Sequence, residues 1–267
     1  MSPGEGGGSP AVRGAPGRML VCEEAHPMTT TDASTSSTDI LELPDTVPPA
    51  FRRLAHSLFG PTIPNVTTFS MRGPARMRIG RSPWIPLHAA TYHRIGRGFA
   101  AEFDVAVGGR RVFSGTDSFL DGRGRSSMGG RVLPASPQRD QSANAFRWLE
   151  AGMLPASWLT PGLRLEEVDD LTLRLITPED GTPITWRLDP RTGMPWRLEA
   201  PRWRDDADRM ILWRGDLGPW SDFGPMVWFT SVEATWADQA RPWLGWTIDH
   251  VEPGAVVDAV LDRHAAA

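Results

Sequence analysis

The sequence predicts a mainly β (α+β) protein whose body is a long antiparallel sheet of about 10–12 strands with two or three helices packed against it. Three observations carry this. From about Met77 to Val256, apolar and polar residues exchange places at every second position. Gly, Pro and Asp turns punctuate the alternation. Strand follows strand with no helix regularly between them, so the connections are hairpins and the pairing antiparallel. Gly98–Val107 shows the period best: Phe99, Ala101, Phe103, Val105 and Val107 fall on one side, and Ala100, Glu102, Asp104 and Ala106 on the other. Side chains on a strand point alternately to opposite faces, so one face is read as buried.

The elements follow in order. Residues 1–45 are rich in Gly, Pro, Ser and Thr and hold too little apolar surface to offset ordering, so they are read as a disordered segment. Met28 is an alternative start to Met1. Residues 46–257 form a single domain. Pro48-Pro49 opens a helix over 49–59, with Phe51, Leu54, Leu58 and Phe59 at helical spacing and Gly60-Pro61 at its end. A first meander of about five strands follows. It includes Trp84–Ile95, where Pro86 implies an edge or a bulge, and a hairpin at Gly108-Gly109. A second helix is predicted over 141–153, capped by Asp140 or Ser142, with Phe146, Leu149 and Met153 on one face. A second block of strands runs from Leu171 to Val257, with Met226–Trp236 and Trp246–Val257 each read as one strand, and carries most of the Trp. Residues 258–267 are a C-terminal tail that admits a short helix.

Composition narrows the function. A net charge of −4 lacks the basic footprint of a nucleic-acid binder, and all 28 basic residues are arginine. The lone Cys22 excludes an internal disulfide and a cysteine-based metal cluster. Val21 before it and the absence of an apolar run count against a lipidation signal. No run approaches the roughly 20 apolar residues of a membrane-spanning helix, so the expected location is cytoplasmic. Twelve Trp stand against one Tyr (Tyr92); Trp suits cores and the walls of apolar pockets.

Chemistry-bearing motifs are few. His88 and His93 lie an odd number apart on one strand and cannot share a metal there, and no His-Glu-x-x-His spacing exists. No Gly-x-Ser-x-Gly elbow sits between a strand and a helix. The Gly-rich pieces are hairpin turns, not phosphate loops. Neither a cofactor nor a metal is expected. Asp121 opens an Asp-Gly turn, whereas Asp117 shares a face with Phe113 and Phe119 and needs a partner, either Arg147 or an Arg from a neighbouring strand. Arg147 and Glu150 are spaced to pair on the second helix.

Met77-Arg78-Ile79-Gly80, Gly98-Phe99, Asp117-Ser118-Phe119-Leu120-Asp121-Gly122-Arg123-Gly124, Arg147-Trp148-Leu149-Glu150 with Leu154-Pro155, and Pro201-Arg202-Trp203 occur in that order. The set resembles a family of uncharacterised bacterial proteins known only as a domain of unknown function, over about residues 50–256. Members often carry an aromatic two residues after the Gly-Phe pair, where this chain has Ala101. The strand count and helix placement are similar in architecture to lipoprotein-carrier proteins, which implies a curved half-barrel around helices and an apolar cavity.

The leading functional reading is binding of a lipid or other hydrophobic or amphipathic small molecule inside the sheet, with Asp117, Arg147, Trp148, Glu150 and Trp228 as its contacts. The alternatives are an enzyme of unknown class, in which Asp117, Arg147 and Glu150 converge to within about 3–4 Å of a shared space, and a protein-interaction module. The oligomeric state is left open.

Overall fold

The computed structural model describes residues 39–80, 82–107 and 110–266. The readings of residues 1–38, including Cys22, and of the Gly108-Gly109 turn lie outside them. Asp39 and Ile40, inside the stretch read as unstructured, pair with the chain near Pro64: Asn65 N–H donates to the Asp39 carbonyl at 2.7 Å.

Helix α1 (Pro49–Phe59) is followed by six strands: β1 (Thr68–Met77), β2 (Ile85–Arg94), β3 (Gly98–Val107), β4 (Arg110–Leu120), β5 (Arg123–Met128) and β6 (Arg131–Val132). Helix α2 (Pro137–Ala151) and a 3-10 turn (Pro155–Leu159) come next. The second run is β7 (Arg164–Asp169), β8 (Thr172–Ile176), β9 (Pro183–Leu188), β10 (Pro195–Arg204), β11 (Arg209–Leu217), β12 (Trp220–Asp222), β13 (Val227–Phe229), β14 (Ser231–Trp236), β15 (Leu244–Thr247) and β16 (His250–Pro253), closed by α3 (Asp258–Ala266). All ladders are antiparallel. Fourteen of the described strands form one sheet and β12–β13 a separate hairpin. The surplus over the predicted count consists of short strands. Two stretches that read as single strands, Met226–Trp236 and Trp246–Val257, are each broken in two.

The sheet order is β6-β5-β4-β3-β2-β1-β15-β14-β11-β10-β9-β8-β7, with β16 also on β1. The chain therefore starts at the centre, walks to one edge, crosses to the opposite edge, and walks back. The crossing is made by α2, which explains its place on the inner face. β5 and β10 both pack on α2 although they lie eight strand spacings apart in the sheet order. At about 4.8 Å per strand, a flat sheet would separate them by about 38 Å, far more than a helix diameter of about 10–12 Å. The sheet must curve around the helix. It does not close, because β6 and β7 end as unpaired edges.

α2 is buried along most of its second half, through Ala145, Arg147, Trp148, Leu149, Glu150 and Ala151. It starts four residues before the predicted position and ends two residues earlier. Ser136, not Asp140 or Ser142, caps it by accepting from Arg139 N–H at 3.2 Å, and Pro137 supplies the first turn. The Asp140 carboxylate instead accepts from Gly124 N–H at 2.7 Å, tying α2 to β5. α1 covers the second arm; Phe51 packs edge-on to Trp158 at 5.3 Å and against Trp186 at 5.6 Å. α3 lies on the outer face of β2–β4, where Leu261 meets Ala100 and Leu120. There Glu102 lies beside His264 at 3.0 Å, a hydrogen bond that holds its carboxyl below the usual range.

Pro86 sits near the start of the inner strand β2, not on a sheet edge. It is tolerated because the β2–β3 ladder begins only at His88. No helix among the described residues is long and apolar enough to cross a membrane.

Candidate functional site

The inner face of the first arm carries small side chains where its neighbours carry large ones. Thr91, Ala101 and Asp117 lie in one cross-strand row, and Ala89, Phe103 and Gly115 in the next. The Phe103 ring lies directly over Gly115, where a Cβ would meet it at 1.9 Å and displace it. From the other arm come Trp213, Trp236 and Arg202, and Phe146 descends from α2. Between them lie two adjoining chambers. One, of about 210 Å³, is apolar, with Leu87, Ala89, Ala101, Trp213, Leu244 and Trp246 among its walls. The other, of about 200 Å³, is more polar and is lined by Ser126, Arg139, Ser142, Arg204, Asp205 and Trp236. Phe103, Asp117, Met128, Phe146 and Arg202 belong to both, so they form the neck.

Arg202 stands on β10 seven strand spacings from Asp117 on β4, and the curvature brings the two to one neck. Its guanidinium carbon lies 5.0 Å from the Phe146 ring centre, 5.6 Å from Trp213 and 5.8 Å from Trp236. Rings at that distance hold a cation by their quadrupole without neutralising it. Nε donates to the Ser142 carbonyl at 3.1 Å. The two Nη nitrogens have no acceptor among the described residues, and neither is sealed from the cavity. Burial pulls the group down to about 10, against the charges of Asp117 and Glu150, so it remains protonated at pH 7. Neither carboxylate closes an ion pair with it.

β10 loses its β9 partner after Glu199. The Gln141 side chain takes over the vacated edge: its amide donates to the Pro201 carbonyl at 2.9 Å, and its oxygen accepts from Trp203 N–H at 3.1 Å. One side chain of α2 thus replaces a strand on either side of Arg202 and fixes where the guanidinium points.

Asp117 keeps some accessible surface, which lines the chambers. Burial raises its carboxyl above the usual 3.8, while the Ser126 hydroxyl, Arg202 and Arg139 act the other way and Asp205 adds to the rise. The expected ion pair with Arg147 or with an Arg from a neighbouring strand is absent among the described residues; Arg202, from across the cavity, acts on Asp117 through its charge alone.

The other predicted residues lie elsewhere. Arg147 and Glu150 do not pair. Arg147 binds Glu179, which also accepts from Trp148 Nε1 at 3.0 Å and Asn144 Nδ2 at 3.3 Å. One carboxylate beyond β8 thereby gathers three donors from α2. Arg147 and Trp148 border a separate pocket of about 70 Å³, and burial lowers the Arg147 guanidinium despite Glu179. Glu150 meets His93 Nε2 at 2.6 Å, and the His93 ring is stacked between Phe69 at 4.4 Å and Phe99 at 5.5 Å. Trp228 is fully buried, with its indole N–H on Met71 Sδ at 2.9 Å. Asp117, Arg147 and Glu150 therefore have separate partners and do not share a cleft. His88 is exposed and His93 buried, as their odd spacing requires. No group of three or more metal-ligating side chains occurs among the described residues.

The sequence reading places some of the Trp at cavity walls without singling out Trp213, Trp236 and Trp246, and it does not name Arg202 or Phe146 as wall residues. A signal existed for Arg202: it stands in Pro201-Arg202-Trp203, in register with Leu198 and Ala200, which face inward.

Solved structures similar to this chain include a LolA superfamily protein from Nitrosomonas europaea, at 9% identity over 79% of this chain and 95% of that one, with a TM-score of 0.48. A putative outer membrane lipoprotein-sorting protein domain from Vibrio parahaemolyticus matches at 9% identity over 74% and 90%, TM-score 0.45. A DUF1329 family protein from Desulfovibrio piger matches at 9% identity over 81% and 95%, TM-score 0.47. No curated relative matches the sequence. The description "Family of unknown function (DUF6544)" matches residues 35–247, and the ordered motifs fall within that span: the chain belongs to this family.

Proposed function

We propose that this protein binds a hydrophobic or amphipathic small molecule in the space between its sheet and α2. The observation that carries the reading is the apolar chamber of about 210 Å³, walled from both arms of the sheet. An apolar cavity of roughly 150 Å³ holds a benzene ring, so this one admits a larger apolar group. Its walls follow the usual pattern of small-molecule sites, mostly apolar and aromatic with a few polar groups at one place.

The neutral fluorophore N-phenyl-1-naphthylamine tests this. Wild type should enhance its emission saturably with one site per chain. Ala101→Trp, which places an indole in the chamber, should weaken binding at least tenfold, and Ala89→Phe on the adjoining strand should do likewise. Absence of saturable binding to folded wild type, or undiminished binding to both folded variants, would remove the reading.

A further inference from the structure

We infer that the occupant is an amphiphile with a single carboxylate head, held by Arg202 at the neck with its tail in the apolar chamber. This rests on the reading just given and adds the chemical class of the ligand. The two chambers differ in character, and Arg202, whose guanidinium closes no ion pair among the described residues, stands at their junction. A ligand spanning them must change polarity at Arg202. The remaining cations around the polar chamber are already engaged: Arg139 pairs with Asp205 at 2.7 Å, and Arg204 with Asp238 at 2.8 Å.

The head group follows from geometry and charge count. Two free Nη nitrogens on one planar fork match the two oxygens of a carboxylate. One cation faces one anion, and Asp117, lining the same neck, opposes a second negative charge. This disfavours a dianionic phosphate monoester. The aromatic cage of Phe146, Trp213 and Trp236 holds the guanidinium but supplies no counter-charge. An amphiphile without a charge would leave the Nη donors unmet, and a cationic one would be repelled.

Calorimetric titration with dodecanoate and with dodecanol, each below its aggregation threshold, separates the possibilities. Wild type should bind dodecanoate at least tenfold more tightly than dodecanol. Arg202→Met, which keeps the apolar stem, should erase that preference while still binding dodecanol. Arg202→Lys should retain part of it and guards against misfolding of the first variant. Equal affinity for the two probes, or a preference that survives Arg202→Met, overturns the carboxylate inference and leaves small-molecule binding standing. Failure of both probes and of the naphthylamine fluorophore overturns both.

Discussion

Asp117 and Arg202 face the same neck and are tuned in opposite senses by the same cause, the removal of water. For Asp117 the folded carboxyl sits above its unfolded value near 3.8. Between those two values the folded state holds a proton that the unfolded state has lost. Stability is then greatest at low pH and falls as pH rises through the window. Asp117→Asn cannot ionise, so relative to wild type it should gain stability from about pH 4 upward, as read by urea unfolding at a series of pH values. Parallel pH profiles for the two proteins would show that Asp117 is not perturbed. The groups that face it, Arg202, Arg139, Asp205 and Ser126, remain in the variant, so the difference isolates one carboxyl. The residue scale is also where the sequence was least legible. Asp117 was recognisable as an inward polar residue from its spacing to Phe113 and Phe119. Arg202, whose charge acts on it, lies 85 positions away, and only the three-dimensional path of the chain brings the two to one neck. The i,i+3 spacing of Arg147 and Glu150 was equally suggestive, but a helix buried on several sides offers each side chain a closer partner than its neighbour on the helix.

At the scale of elements, alternation and turn residues located most strands, because period two and hairpin chemistry are local properties. What they could not show is where a ladder is interrupted by something outside the strand. The β15–β16 break arises at Gly73, where a Cβ would meet the Thr247 carbonyl oxygen at 2.1 Å and the backbone of 247–249 passes close over β1. The start of α2 was misplaced because Pro137 and Ser136 carry the capping while the apolar face begins later. The clasp of Gln141 on β10 gives an element-scale prediction. Gln141→Leu keeps the volume but strands the Trp203 N–H and the Pro201 carbonyl, a loss of about 1–3 kcal/mol on unfolding. A change below about 0.5 kcal/mol by chemical denaturation, the usual range for a surface substitution, would mean that the edge finds other partners.

For the whole molecule, the sheet is two meanders joined along β1 and β15. Amide hydrogen exchange should report this, with the slowest exchange in β1, β2, β14 and β15 and the fastest in the edge strands β6 and β7. Equal protection at centre and edges would contradict it. The return path of the chain has a further consequence, in time rather than in space. β1 is synthesised early, but its partners β15 and β16 lie more than 160 residues later. On a ribosome the first meander can pair from β1 outward to β6, and the second can build inward from β7, yet the middle of the sheet stays open until the last strands emerge. Contacts of such sequence separation are the slow ones. A chain stopped before residue 244 would present β1 as a bare edge at the centre of its own sheet, the kind of surface that recruits other strands. The seam that ends up most buried is thus the last to form, and the C-terminal strands act as its closure.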